Sequence, residues 1–427
     1  MLPAAFRRAG MPHSATDLKP RAIVPLLAAL AMFGPFTIDS FFPAFAEVAK
    51  SLHANPWQMQ QTISAYLLGY ALMSFLHGPL SDAHGRRIVI LFGVGSYVCA
   101  SLVCTIAPNI ETLLLARFWQ GCSTGAGMIV GRAIIRDRFH GGEAQRVMSW
   151  VAMLFGIAPA LAPIVGAIIH GFASWRAIFA FMVVYGVLML WACVRMLPET
   201  HAPAARVPLR PLSLLATYRR IALDRPFMLW IGATGLFFGG QFVYISSAPV
   251  FIEQFLKLDS FGYAWYFVPT IVGMTTGSAL SARLAVRTSP ARCAYIGLLV
   301  MIAGQAINLA YNAVTEYPAV PWAVLPFAIY GCGVSLATPP INVATLDRHP
   351  LHRGAAASVQ SAMWSLMMVF VSGFAAPLAH DTPLHLALAS FGFWTAGALC
   401  LWLGPRIVFL HAPTREDAAE AELEEPV

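Results

Sequence analysis

The feature that most constrains this chain is a series of twelve apolar stretches, each about as long as a helix that crosses a lipid bilayer. A helix needs about 20 mostly apolar residues to cross the ~30 Å of hydrocarbon in a bilayer. Only 11% of the residues are charged, whereas soluble domains carry about 25%. An ordinary soluble enzyme is therefore excluded, and an all-α polytopic membrane protein is predicted. The predicted spans are 22–46, 57–78, 88–107, 111–133, 146–170, 175–197, 226–251, 261–282, 293–313, 320–345, 355–380 and 384–408.

The longest connection between two predicted spans divides them into two sets of six. The Ala-Pro pair at 162–163 recurs at 376–377, as expected for the internal repeats that many transporters contain. The last residues are acidic without an apolar face, which predicts a disordered tail. The predicted organisation is an N-terminal segment 1–21, an N-terminal half 22–197, a linker 198–225, a C-terminal half 226–411 and an acidic tail 412–427.

The positions of the Lys and Arg residues predict which way the chain faces, because cytoplasmic loops carry the excess of these residues. If the N-terminus lies inside, all but four of the 27 Lys and Arg residues fall on the cytoplasmic side or at inner span ends. Lys50, Arg176 and Lys257 then lie outside, and Arg117 lies within a span. Both termini are therefore predicted to be cytoplasmic, and the end of the molecule with Lys50, Arg176 and Lys257 is the predicted outer end.

Asp39 is the only acidic residue deep within a predicted span, and Arg117 is the only deep basic residue. An ionised Asp at the bilayer centre costs about 2.5–3.5 kcal/mol on insertion scales, so Asp39 must be paired, hydrated or protonated. Both residues are predicted to lie roughly 10 Å below the outer surface, which allows an ion pair between them. Two alternatives stay open: Asp39 is a structural residue held by a permanent hydrogen bond, and Arg117 extends outward to the interface.

The connection between the second and third predicted spans combines glycines with charged residues. Glycine permits a positive φ or a close approach, and carboxylate and guanidinium groups can form a charge network on the cytoplasmic face. A tight turn is therefore predicted. The segment resembles the signature of the major facilitator superfamily, Gly-x-Leu-x-Asp-x-x-Gly-Arg-Arg/Lys, although Ala83 stands where the family often has a base. The matching residues are Gly78, Leu80, Asp82, Gly85, Arg86 and Arg87.

Further motifs are similar to those of the bicyclomycin and chloramphenicol resistance (Bcr/CflA) branch of drug:proton antiporters. They lie at 38–44, 117–121, 132–137, 159–166, 248–253 and 261–263, so the resemblance covers nearly the whole chain. It implies the major facilitator fold, with twelve transmembrane helices in two six-helix halves. It also implies a monomeric, multi-pass protein of the bacterial inner membrane.

The resemblance implies roles for individual residues. Asp39 would be the proton carrier and Arg117 its electrostatic partner. Asp82, Arg86 and Asp137 would form a cytoplasmic gate, and its second-half counterpart at 277–283 lacks an acid, so the first-half gate is expected to be the stronger one. The fifth-span antiporter signature, Gly-Pro-x-x-Gly-Gly, has alanine in place of two of its glycines here, and its small residues are expected to serve close helix packing. The residues expected to carry that packing are Pro159, Pro163 and Gly166.

Aromatic and amide side chains within the spans are candidates for a drug cavity. Gln241 and Tyr244 are three residues apart and therefore share a helix face. Such side chains also serve helix packing and interhelical hydrogen bonds, and this alternative stays open. The candidates are Tyr66, Tyr70, Gln120, Gln241 and Tyr244.

The sequence contains no phosphate-binding loop, no metal-ligand spacing and no hydrolase motif. We therefore expect a protein that is not an enzyme, with no metal and no cofactor, and with a proton gradient as its energy source. The resemblance implies a proton-coupled secondary active transporter that exports small hydrophobic or cationic drugs by alternating access. Its expected partners are drugs, protons and the lipid bilayer, and no nucleic acid. The alternatives are an exporter or importer of an endogenous metabolite, such as an amino acid, and a receptor, although receptors usually carry a large soluble domain.

Overall fold

A computed structural model describes residues 20–404, except 140 and 286. Within these residues the chain is helical and has no strand. The predicted acidic tail 412–427, and all but the last two residues of the predicted segment 1–21, lie outside this part. The long helices are α1 (Pro20–Asp39), α2 (Pro56–Ser74), α3 (Arg86–Thr105), α4 (Ile110–Arg138), α5 (Gly141–Phe172), α6 (Trp175–Met196), α7 (Arg225–Ser246), α8 (Tyr263–Ala285), α9 (Pro290–Val314), α10 (Leu325–Asp347), α11 (Arg353–Phe370) and α12 (Pro383–Leu403).

These twelve helices correspond to the twelve predicted spans, and the all-α polytopic architecture is confirmed. Among the described residues, nine helices are long and apolar enough to cross a membrane. The helix α2 adds a tenth span when it is joined to the short helix His77–His84, from which it is bent by 46°. The remaining two are α4, which packs against α2 and α3, and α8, which packs against α10.

The structure differs from the predicted spans at two functional segments. The predicted span 22–46 is interrupted, since α1 ends at Asp39 and a turn leads into the short helix Phe45–Ser51. The prediction of a tight turn at the glycine-rich motif is wrong for most of its length, because His77–His84 is helical. Proline is tolerated in the first turn of a helix, so Pro79 does not prevent this. Only Gly85, with a φ of +103°, reverses the chain.

Helices α1 to α6 pack chiefly with one another, as do α7 to α12, and two seams join the sets: α2 packs against α11, and α5 packs against α8. Glycines permit close helix crossings within each set. A Cβ on Gly121 would overlap the backbone of Tyr66, and a Cβ on Gly273 would overlap the backbone of Ala328. Backbones can therefore approach closely, as small residues allow in membrane helices.

Candidate functional site

Asp39 is the last residue of α1 and lies where the two sets of helices meet. Its side chain is 5% exposed, and it is the only buried acid among the described residues. No hydrogen bond or ion pair to Asp39 is present within the described part of the chain. Asp39 does interact electrostatically with Tyr266 on α8. A buried carboxyl without a partner is costly when ionised, so Asp39 is suited to bind and release a proton or a donor group.

Arg117 is fully buried in α4 and is held by neutral acceptors. Its guanidinium donates to the backbone carbonyl of Thr37 at 2.9 Å, to that of Thr62 at 3.3 Å and to Oε1 of Gln120 at 3.0 Å. It also lies over the ring of Tyr66, 4.9 Å from the centroid. Arg117 therefore joins α1, α2 and α4, and the alternative that it extends outward to the interface is wrong.

Asp39 and Arg117 do not form the ion pair that their matched depth allowed. Arg117 reaches the backbone of α1 at Thr37, whose hydroxyl lies 2.7 Å from that of Tyr97 on α3. At 3.6 residues per turn, side chains two positions apart point about 200° apart around a helix. Asp39 therefore faces away from α3 and towards Tyr266 on α8. The sequence predicted how deep Asp39 and Arg117 lie in the membrane, but not in which direction each side chain points around its helix.

A neutral polar cluster occupies the neighbouring part of α7 to α10. Gln241 donates from Nε2 to the hydroxyl of Tyr266 at 3.3 Å, and its Oε1 is buried without a partner. Tyr244 accepts a hydrogen bond from Asn308 at 3.1 Å, and its ring lies 4.0 Å from that of Phe327. Gln241 is thus placed near Asp39, whereas Tyr244 points into the packing between α7, α9 and α10. Sequence analysis missed Tyr266 and Asn308, since polar residues in spans carry no signal of which helix they face.

The remaining cavity candidates lie within the first six helices. Gln120 uses both ends of its amide, because Oε1 accepts from Arg117 and Nε2 donates to Ser101 at 2.8 Å. The hydroxyl of Tyr70 lies 3.6 Å from the sulfur of Met128. The geometry of Gln120 matches the alternative of an interhelical hydrogen bond. Tyr70 lies closer to the space between the helices on the predicted cytoplasmic side.

The predicted gate motif forms a charge network at the start of α3. Arg86 donates to Asp82, to Asp137 at 3.0 Å and to Ser81 at 2.6 Å. The Arg86 side chain is 8% exposed, whereas those of Asp82 and Asp137 are 48% and 23% exposed, so the guanidinium is buried and its partners remain in contact with water. The residues that the motif predicted to meet, Asp82, Arg86 and Asp137, are brought together. Gly78 has no such constraint, since a Cβ there would meet no atom within 4 Å.

The linker adds a residue to this network that the sequence motif does not contain. Glu199 accepts hydrogen bonds from the first two backbone N–H groups of α3, at 2.9 and 3.3 Å. A carboxylate is favoured there because the first N–H groups of a helix have no partner within it. Gly85 is required for this contact, because its φ is positive and a Cβ would overlap Glu199. The side chain of Arg87 does not join the network; its guanidinium donates to the carbonyl of Val194 at 2.8 Å.

The packing residues of α5 contact the end of α1. A Cβ on Gly166 would overlap the backbone carbonyl of Ser40, the residue after Asp39. Pro163 is buried and Pro159 is partly buried on the same helix. Close packing at Gly166 therefore supports the position of the α1 terminus, where Asp39 lies.

The two sets of helices are joined at the predicted outer end by neutral hydrogen bonds. Gln60 donates to the carbonyl of Ser246 at 3.0 Å, and Gln61 to that of Gly373 at 3.0 Å. Tyr263 on α8 donates to the carbonyl of Phe42, just after α1, at 3.1 Å. The predicted outer end is therefore closed in this structure.

A cavity of about 80 Å³ lies towards the predicted cytoplasmic end, between α1, α4 and α5. Its lining is mostly apolar, with Arg132 as the charged residue, and includes Leu27, Ala31, Gly127, Met128, Gly131, Ile135, Met148, Val151, Ala152 and Phe155. The closed end and this cavity lie on opposite sides of the level of Asp39. The buried acid thus lies between the closed outer end and a small, mostly apolar cavity within the first set of helices.

Comparisons with known proteins find relatives among membrane transporters and drug-resistance proteins. Residues 26–372 match the Major Facilitator Superfamily. The chain is 32% identical over 263 residues to the bicyclomycin resistance protein homolog of Haemophilus influenzae, and this alignment covers 61% of this chain and 66% of that protein. The chain is 28% identical over 412 residues to the multidrug transporter MdfA of Yersinia pestis (strain Angola), and this alignment covers 95% of this chain and 98% of that protein. The solved D-xylose-proton symporter shares the fold, with a TM-score of 0.69, 16% identity, and coverage of 92% of this chain and 98% of that chain.

Proposed function

The chain belongs to the Major Facilitator Superfamily, and we propose that it is a proton-coupled exporter of small hydrophobic or cationic drugs that works by alternating access. The superfamily match and the fold identify a membrane transporter rather than an enzyme. The observation that carries the proposal is Asp39, the single buried acid of the described residues, unpaired where the two sets of helices meet.

The relatives support drugs as the substrate class. One is named a bicyclomycin resistance protein homolog and another a multidrug transporter, and the second matches 95% of this chain. The contacts near Asp39 are compatible with such substrates. Gln241 offers a buried acceptor oxygen without a partner, and its amide donates to Tyr266, whose ring packs against those of Phe251 and Phe327. A ligand with an apolar body and a donor or cationic group would satisfy both kinds of contact.

In the proposed mechanism, Asp39 holds a proton when no drug is bound and releases it when a drug takes its place. Binding of either the proton or the drug favours a different state of the two six-helix halves, 22–197 and 226–411, which move against each other around the site. The neutral hydrogen bonds at the predicted outer end would break when that end opens. The network of Arg86 with Asp82 and Asp137 would then hold the cytoplasmic end closed. Each cycle would draw its energy from proton entry, without a cofactor.

The proposal includes an orientation. With 23 of 27 Lys and Arg residues on one side, we place both termini in the cytoplasm and the protein in the bacterial inner membrane, as a monomer. Proton entry from outside then drives export, because the outer compartment of an energised bacterium is the more acidic one.

The test measures proton release when a panel of drugs is added to purified protein in detergent. The panel includes chloramphenicol-like and bicyclomycin-like compounds, neutral analogues and lipophilic cations. Native protein should release protons on drug binding, and Asp39→Asn should release none. Asp381→Asn is the matched control, because Asp381 is an exposed acid at the predicted outer end, and its release should equal that of native protein.

Two outcomes would contradict the proposal. Unchanged release in Asp39→Asn would exclude Asp39 as the proton carrier. Binding of no drug in the panel, measured in parallel by tryptophan fluorescence of the 11 Trp residues, would exclude drugs of these classes as substrates.

A further inference from the structure

The linker contains a helix, Pro211–Ala222, whose one face is attached to the bundle. Tyr218 donates a hydrogen bond to the backbone carbonyl of Phe75 at 2.7 Å, just after the end of α2. Ile221 is fully buried and packs in a cluster with Phe227 and Val359, at the predicted cytoplasmic ends of α7 and α11. These contacts fix the rotation of the linker helix about its own axis.

The opposite face of the linker helix carries exposed leucines. Leu212 is 84% exposed, Leu215 is 64% exposed and Leu223, just after the helix, is 71% exposed. At about 100° per residue, these three side chains lie within roughly 80° of one another, and Ile221 lies about 180° from Leu212. Large apolar side chains on one free face of a helix indicate an apolar surface that covers them.

The charged residues of this face are all basic. Arg219 lies between Leu215 and Leu223 on the same face, Arg220 is exposed beside it, and Arg210 is exposed just before the helix. From 201 to 223 the sequence contains four Arg and no acidic residue, and one of the four, Arg206, pairs with Glu199 at 3.9 Å. The acids that border this stretch are already engaged: Glu199 with the start of α3, and Asp224 with Arg348. The free face therefore offers leucines and unneutralised positive charge together.

We propose that the linker helix binds the cytoplasmic leaflet, with Leu212, Leu215 and Leu223 among the acyl chains and the arginines on anionic lipid phosphates. Helices that lie in the membrane interface combine large apolar side chains with basic ones, and the long side chain of Arg219 can extend from among the leucines to the phosphates. Basic residues near a membrane surface attract anionic lipids within a Debye length. The inference uses the proposed orientation and not the proposed substrate, so it stands or fails separately from drug export.

Anionic lipid fits this face better than the chain's own acidic tail. The tail at 412–427 carries six Asp and Glu residues, which could neutralise the arginines, but its only large apolar residues are Leu423 and Val427. Three exposed leucines need more apolar area than these two residues offer. A lipid leaflet supplies phosphates and an apolar layer at once, at the depth where the inner ends of α2 and α11 lie.

The test is backbone amide hydrogen exchange of the full chain in nanodiscs, with phosphatidylcholine alone or with phosphatidylglycerol added. The amides of 212–222 should exchange roughly tenfold more slowly in the anionic nanodiscs. The reason is that each Arg near an anionic surface strengthens membrane binding about fivefold. Arg219→Gln/Arg220→Gln should abolish that difference. Leu212→Ser/Leu215→Ser should speed exchange in both kinds of nanodisc, because insertion is lost.

The matched control is Arg283→Gln/Arg287→Gln, which removes the same charge from exposed positions at the predicted cytoplasmic end of α8. It should leave the linker exchange as in native protein. Equal exchange of 212–222 in neutral and anionic nanodiscs would overturn the proposal. Slow exchange that persists in detergent and disappears when the tail acids are replaced by Gln would overturn it as well, and would assign the face to the tail.

Discussion

The two sets of six helices place different chemistry at the level where they meet. The first set carries the ionisable residues, Asp39 and Arg117, both buried. The second set carries neutral amides and phenols there. Gln241 donates to Tyr266 at 3.3 Å, and Asn308 donates to Tyr244 at 3.1 Å. Under the proposed mechanism, this difference would assign proton exchange to the first set and recognition of neutral drug groups to the second.

The cytoplasmic ends differ in another way. In the first set, Arg86 joins Asp82 and Asp137 within the predicted motif. The second set lacks an acid at the equivalent loop, but Asp224 pairs with Arg348 at 2.9 Å and with His349 at 3.1 Å, between the start of α7 and the end of α10. The expectation of a weaker second gate was drawn from one loop only. The second set has an ionic network, and it lies on different helices.

The largest expected effect concerns the buried charge of the first set. Arg117→Lys should lower the free energy of unfolding by about 3 kcal/mol or more, because a lysine cannot reach three acceptors in the fork geometry of a guanidinium. Thermal unfolding in detergent, followed by tryptophan fluorescence, measures the change. Arg132→Lys, exposed on the same helix, is the control and should unfold like native protein. Equal stability of Arg117→Lys and native protein would remove Arg117 as the link between α1, α2 and α4.

A somewhat smaller loss of stability is expected when the close packing between α5 and the end of α1, beside Asp39, is disturbed. Gly166→Ala should cost about 1–3 kcal/mol of stability, since its methyl group must displace the backbone at Ser40. Gly156→Ala on the same helix meets no atom within 4 Å and should be neutral or slightly stabilising. The same measurement on Gly273→Ala tells whether the second set depends on close contacts to the same extent. If Gly166→Ala is as stable as Gly156→Ala, α1 and α5 do not need this close approach.

The proposed role of the second set in recognition is tested with Gln241, the amide that donates to Tyr266. Gln241→Leu should weaken drug binding about fivefold, because one hydrogen bond contributes about 1 kcal/mol, while proton release per bound drug stays unchanged. Gln305→Leu is the matched control: this buried glutamine donates to Ser390 at 2.7 Å, away from α8. Isothermal calorimetry at saturating and subsaturating drug separates affinity from stoichiometry. Loss of affinity in Gln305→Leu but not in Gln241→Leu would reverse the assignment.

The smallest effect is a pH dependence of the second ionic network. Burial alone would raise the pKa of Asp224, but the hydrogen bond and charge of Arg348 outweigh it, so the pKa lies below its ordinary value. A lowered pKa in the folded protein stabilises it above the ordinary Asp pKa of about 3.9, and this stability is lost as the pH falls through the folded value.

Arg348→Gln should therefore be less stable than native protein at neutral pH, by about 1 kcal/mol or less because the pair is partly exposed. The difference should disappear at a pH below the folded pKa of Asp224, where the carboxyl is protonated in both proteins. Chemical unfolding at neutral and acidic pH checks this, with Arg353→Gln, in an exposed pair with Asp347, as the control. The Arg348 guanidinium also lies over the ring of Trp230, 5.5 Å from its centroid. A difference that persists unchanged in acid would show that Arg348 acts through this packing rather than through its pair with Asp224.

Much of this architecture could be predicted from local patterns. The apolar stretches predicted twelve helices, and the motif around Arg86 predicted which charges meet, because those residues lie within one short segment and the helix beside it. The ion pair that matched depth allowed between Asp39 and Arg117 does not form. The sequence indicated their depth along the membrane but carried no information on the rotation of each side chain about its helix axis. Glu199 was missed for a related reason: it lies 113 residues from Arg86, and no local pattern joins them.

The sequence by itself determined that the chain crosses a membrane many times, that a single acid lies deep within it, and that positive charge collects on one side. These properties follow from the free energy of moving each side chain between water and hydrocarbon, which depends on the side chain and its near neighbours. Only the tertiary structure decided the partners: Arg117 on backbone carbonyls, Asp39 towards Tyr266, and Asp224 on Arg348. Partners depend on which helices pack together and how each is rotated, and that is settled by contacts summed over the whole bundle.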